Sequence, residues 1–130
     1  MNLKQSTVLI ATLLLASVFA ADKLTVKQLA QDPKKVDGKV ITLIGKVDKF
    51  EQRTSKAGND YFLFKLLDKL DKKATVNVYG QGKADKGLKN GDVVEIKGEY
   101  KIERKYGSRT YKNELQVKPE AIKVIEPAKH

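Results

Sequence analysis

From Lys39 to Phe50 the chain sets Ile41, Leu43, Gly45 and Val47 at every second position, with polar or small residues between them. Period-two alternation marks a strand that buries one face. The pattern returns in Tyr61–Leu67, where Phe62, Phe64 and Leu66 form the inward set and Tyr61, Leu63 and Lys65 face out. In Ala74–Gly80, Val76 and Val78 point inward, with Asn77 and Tyr79 outward, and in Val93–Ile102 the inward set is Val94, Ile96, Gly98, Tyr100 and Ile102. A last strand is expected through Leu115–Val117, followed by the apolar stretch Ala121–Ile125. Gly45, in mid-strand, predicts a bulge or sharp bend.

Ahead of the first strand the period lengthens. Thr25 is placed to cap a short helix carrying Val26, Leu29 and Ala30, which stops near Asp32-Pro33 and is expected to cover one end of the sheet structure. Turn chemistry at Asp37-Gly38, Thr54–Asp60 and Asp68–Lys73, and a glycine-rich loop over Gly80–Asp92, separate the strands. A mainly β fold follows. Five short strands left as an open sheet would expose two edges, so the expected architecture is a five-stranded Greek-key barrel over residues 36–126, with a helical lead-in at 21–35 and a polar tail at 127–130.

Residues 1–20 stand apart. Lys4 precedes the thirteen-residue stretch Val8–Ala20, and Val18-Phe19-Ala20 ahead of Ala21 has small residues where a signal peptidase would cut. A membrane-spanning helix needs about 20 apolar residues. A secretory signal peptide is therefore expected over 1–20, with the processed protein periplasmic or secreted. The chain has no cysteine, so no disulfide supports the fold outside the cytoplasm.

Charge adds a second layer. The full chain has 26 basic and 16 acidic residues; without Lys4 the balance is 25 against 16, or +9. Such a surplus favours polyanionic partners. It is unevenly spread: Arg53–Thr75 has six cations against three acids, and Lys101–Lys118 six against two, whereas Val76–Tyr100 is balanced at four and four. All three arginines, Arg53, Arg104 and Arg109, lie in the two basic segments.

Gly38–Val47, Tyr61–Asp68, Ala74–Tyr79, Gly91-Asp92-Val93-Val94-Glu95-Ile96-Lys97-Gly98 and Asn113-Glu114-Leu115-Gln116-Val117, taken in order, resemble the OB-fold nucleic-acid-binding family. The form is that of the anticodon-binding domain of class II aminoacyl-tRNA synthetases and of related single-stranded DNA binders. The resemblance covers about residues 36–125. It implies a barrel that takes oligonucleotides or oligosaccharides across its second and third strands, between the loops that join strands one to two and four to five.

Those loops are expected at Lys49–Asp60 and Glu103–Lys112, and both overlap the basic segments. The candidate nucleic-acid-binding residues are Arg53, Lys56, Tyr61, Lys65, Asn77, Tyr79, Lys101, Arg104, Lys105, Tyr106, Arg109, Tyr111 and Lys112. Tyrosine faces stack bases while cations neutralise phosphate, and arginine does both. A four-residue loop at Gly107–Thr110 would set Tyr106 opposite Tyr111, Tyr100 opposite Val117, and Lys105 opposite Lys112, a like-charge pair that a bound polyanion would relieve.

Catalysis is not indicated. The only histidine is His130, and without cysteine neither a zinc site nor a histidine-activated nucleophile can be assembled. No cofactor and no metal are expected. The partner is single-stranded nucleic acid bound with low sequence specificity; the alternative is an envelope or stress protein whose cationic face meets acidic glycan, lipopolysaccharide or a protein.

Overall fold

The computed structural model describes residues 23–85 and 87–129. The signal-peptide reading of 1–20, and His130 at the end of the tail, lie outside the described residues. The elements are β1 (Lys23–Thr25), α1 (Val26–Gln31), a 3-10 turn (Pro33–Val36), β2 (Val40–Thr54), β3 (Asp60–Leu67), β4 (Thr75–Gln81), β5 (Val93–Tyr106) and β6 (Arg109–Glu126). Strand follows strand in the order β1-β2-β3-β4-β6-β5, and β5 pairs again with β2. The hydrogen-bonded pairings of β2, β3, β4, β6 and β5 thus run in a closed circuit.

Among the described residues there are six strands where five are expected. The addition is β1, three residues running parallel to β2 with Leu24 opposite Leu43, too short for alternation to show. Thr25 caps α1 as expected: its Oγ1 accepts from Gln28 N at 3.1 Å and its own N donates to Gln28 Oε1 at 2.9 Å. Val26 and Leu29 pass into the core.

The inward sets read from the alternation are the buried ones, except that Gly98 and Ile102 are half-buried. Ile41, Leu43, Val47, Phe62, Phe64, Leu66, Val76, Val78, Val94, Ile96, Tyr100, Leu115 and Val117 form one cluster. The bulge is displaced, however. Register between β2 and β3 shifts between Asp48 and Glu51, where Lys49 adopts a left-handed φ of 53°. Gly45 is instead a point of close approach: a Cβ there would lie 2.6 Å from Leu67 O and 3.0 Å from Val26 Cγ2.

The two expected loops are strand. β2 runs on to Thr54 and β3 begins at Asp60, leaving a turn closed by Ser55 N donating to Asn59 O and Gly58 N to Ser55 O. Likewise β5 reaches Tyr106 and β6 starts at Arg109, so only Gly107 and Ser108 turn the chain, Gly107 with φ 57°. The β5–β6 pair therefore continues past the core as a β arm, while the β2–β3 pair forms a shorter one, two rungs beyond buried Phe62 and backed by β4 as far as Asp60. The last strand and the stretch after it are one strand of 18 residues, interrupted by a register shift opposite Ile96–Gly98.

The two-residue turn corrects the expected hairpin register. Tyr106 faces Arg109, Lys105 faces Thr110, Glu103 faces Lys112 and Tyr100 faces Leu115. No Lys105–Lys112 pair exists; Lys112 has an acid across from it.

Candidate nucleic-acid interface

The arms would diverge from the core as flat ribbons if nothing bent them. Two residues at the root of the β5–β6 arm do so. Asn113 takes a left-handed φ of 53°, accepts from the Tyr100 hydroxyl at 2.7 Å and donates to Thr75 O at 2.8 Å. Opposite it, Ile102 N donates to Asp37 Oδ1 at 2.8 Å. Burial first, and the Asp37 charge second, raise the pKa of the Tyr100 hydroxyl, so it stays a donor.

Beyond this root the arm curls back over its own strands. Arg104 Nη1 donates to Glu99 Oε1 at 3.1 Å, its Nε lies 3.2 Å from Glu114 Oε1, and Gln116 Nε2 donates to the Tyr106 hydroxyl. Five extended residues span about 16 Å, so contacts between positions 104 and 99, and between 106 and 116, require a strong bend. Asn77 Nδ2 adds a bond from β4 to Lys112 O at 3.1 Å.

The result is an open groove of about 1570 Å³ with the outer faces of β3, β4 and β6 as its floor and an arm on either side. Arg53, Tyr61, Lys65, Asn77, Tyr79, Tyr106, Arg109, Tyr111 and Lys112 all line it. Lys56, Lys101, Arg104 and Lys105 do not. Lys56 lies in the β2–β3 turn, while Lys101 and Lys105 occupy rungs of the β5–β6 arm. Arg104 is tucked under the bend with a side chain only 14% exposed.

Lys49, Lys97, Gln116 and Lys118 also line the groove and are absent from the sequence-derived set. For Lys97 and Gln116 the signal was present, since both alternate with inward residues. Seven cations (Lys49, Arg53, Lys65, Lys97, Arg109, Lys112, Lys118) face four acids (Glu51, Glu99, Glu114, Glu120), a local balance of 7 − 4 = +3.

The aromatic residues form two pairs. Tyr61 and Tyr79 lie diagonally across β3 and β4 with ring centroids 5.9 Å apart and planes tilted 36°. Tyr106 and Tyr111 meet edge to face at 5.8 Å, being 50% and 38% exposed. Cations flank both pairs. Arg53 donates to Glu51 Oε2 at 2.8 Å, and hydrogen bonding to Glu51 and then to the Tyr61 hydroxyl raises its pKa further. The pKa of Arg109 is likewise raised, first by the Tyr111 hydroxyl.

No family model matches the chain, and no curated relative does. Among solved structures it is similar to a candidate nucleic acid-binding lipoprotein from Klebsiella pneumoniae subsp. pneumoniae, at 17% identity and a TM-score of 0.52, over 82% of this chain and 95% of that one. A small single-stranded DNA-binding protein from Streptomyces coelicolor matches at 20% identity and TM-score 0.46, over 68% and 93%. The second OB-fold domain of replication protein A from Methanococcus maripaludis matches at 21% and 0.41, over 72% and 91%. The likeness to the Klebsiella protein, spanning most of both chains, shows a shared fold. The chain is a mainly β protein that shares this fold.

Proposed function

We propose that this is an exported, non-catalytic OB-fold protein whose pairing circuit is a five-stranded Greek-key barrel, and that its groove binds single-stranded nucleic acid with little sequence preference. The observation that carries the reading is the gathering of two tyrosine pairs and the flanking Arg53, Lys65, Arg109 and Lys112 into one groove by two separate arms. Stacking on such rings contributes about 1–3 kcal/mol per base irrespective of which base it is. The cations take the phosphates and release their counterions. The names carried by the solved structures agree with this partner, one of them being a lipoprotein, in keeping with export.

Fluorescence anisotropy of a labelled single-stranded oligonucleotide tests the reading. If Arg53, Lys65, Arg109 and Lys112 each meet a phosphate, log K falls against log salt with a slope of roughly −3, a loss of about fifty-fold between about 50 and 200 mM salt. Binding should also survive competition by heparin better than plain charge predicts, because a sulfated glycan offers no bases to stack. Absence of binding at low salt, or heparin displacing the oligonucleotide in proportion to charge alone, would refute it.

A further inference from the structure

Arg104 meets two carboxylates beneath the bend of the β5–β6 arm, and one of its contacts is poorly made. The bond from Nη1 to Glu99 is well formed. Nε lies 3.2 Å from Glu114 Oε1 but outside hydrogen-bond geometry, and Nε, Nη2 and Glu114 Oε1 are all buried without a hydrogen-bond partner. Nε and Nη2 together form the edge of the guanidinium fork that grips a phosphate or carboxylate through two parallel bonds. Here that edge is covered by one misaligned carboxylate. Glu114 is itself only 6% exposed, and burial raises its carboxyl pKa against the pull of Arg104. Groups left buried and unbonded weaken the state that buries them.

Glu99 and Glu114 also line the groove, so Arg104 lies just behind a wall that a ligand would touch. We propose that Glu114 stands in for a phosphate: it covers the two-bond edge of Arg104 and withholds that arginine from the groove until a phosphodiester of the ligand displaces it. The inference rests on the groove being a nucleic-acid site and adds a masked phosphate position to it. In the exchange the phosphate satisfies Nε and Nη2 together, and Glu114 is released towards the solvent of the groove. The root of the arm at Ile102 and Asn113, bonded to Asp37 and Thr75, holds the core side in place while the bend opens.

The test uses the full chain and a labelled oligo-dT of about twelve nucleotides. Glu114→Gln should bind about three- to tenfold more tightly than the unaltered protein, with the same salt slope, because the same phosphate contacts form in both complexes. That gain should vanish when Arg104→Ala is added. Glu120→Gln, which removes a groove acid that does not pair with Arg104, controls for simple loss of negative charge. A gain that persists in Glu114→Gln/Arg104→Ala, or that Glu120→Gln equals, overturns the proposal.

Should Glu114→Gln not fold, Glu114→Asp, whose shorter side chain draws the carboxylate back from Nε, tests the same masking. A second readout needs no ligand: phenylglyoxal should modify Arg104 several-fold faster in the glutamine variant, relative to exposed Arg53, as followed by mass spectrometry. Faster labelling in a protein that binds no oligonucleotide refutes the nucleic-acid reading and keeps the masking. Unchanged labelling and unchanged affinity in a protein that does bind refute the masking and leave the groove.

Discussion

The amide of Asn113 ties three parts of the chain together: β6 through its own left-handed backbone, β5 through the Tyr100 hydroxyl, and the start of β4 through Thr75 O. Alanine there loses both bonds and meets the steric cost of the left-handed region, so Asn113→Ala should destabilise the fold by about 2–4 kcal/mol. Asn113→Gly keeps the backbone conformation and loses only the bonds, so urea midpoints should rank unaltered protein, glycine, alanine. Glu114 sets a different test. Its folded carboxyl titrates above the ordinary value of 4.5, so the folded chain holds that proton more tightly than the unfolded chain does. Its contribution therefore favours folding at low pH and declines as pH rises from 4.5 through the folded pKa. Glu126, held below the ordinary range by Lys69, has the opposite sign, but it is exposed and its effect is screened. Urea titrations across this window should show a flatter pH dependence for Glu114→Gln; parallel curves would remove Glu114 as the cause.

At the scale of elements, side-chain direction was legible in the sequence and register was not. A pleat fixes which face a residue occupies, but a shift of two residues leaves every face unchanged. The expected and observed β5–β6 registers differ by such a shift, and that alone separates a Lys105–Lys112 pair from Glu103 facing Lys112. The arms read as loops for a related reason: beyond the core neither face needs to be apolar, so alternation stops while the strand continues. Gly45 shows one residue with two possible causes, a bulge or a close approach, and only the packing against Val26 and Leu67 separates them. Gly45→Ala should consequently behave as an overpacked core substitution, costing about 1–3 kcal/mol with little effect on the arms. Replacing Arg53, Lys65, Arg109 and Lys112 together by alanine should do the reverse. Surface positions of this kind shift stability by about 0.5 kcal/mol or less each, so thermal melting should barely move while oligonucleotide affinity collapses. A matching loss of stability would mean that these cations support the sheet rather than the ligand.

For the whole molecule, the strand set and the core were readable because alternation recurs five times between turn signals; closure of the circuit was inferred from the cost of free edges. Closure joins distant parts of the chain, with Leu43 opposite Ile96 and Val78 beside Leu115. Long loops must be ordered before such pairings form, so stopped-flow refolding should fall in the millisecond-to-second range typical of non-local β folds. Microsecond refolding would indicate that the local hairpins, rather than the circuit, limit the rate.

The groove walls are continuations of the strands that build the core, and a pleat repeats every two residues. The arms can therefore be treated as adjustable rulers. Removing the Lys105–Thr110 rung together with Tyr106–Arg109 would shorten one wall by two rungs, about 7 Å, without turning over any side chain nearer the core. Two-rung steps of this kind offer a graded series of groove depths on a constant scaffold, against which the length of bound strand can be calibrated.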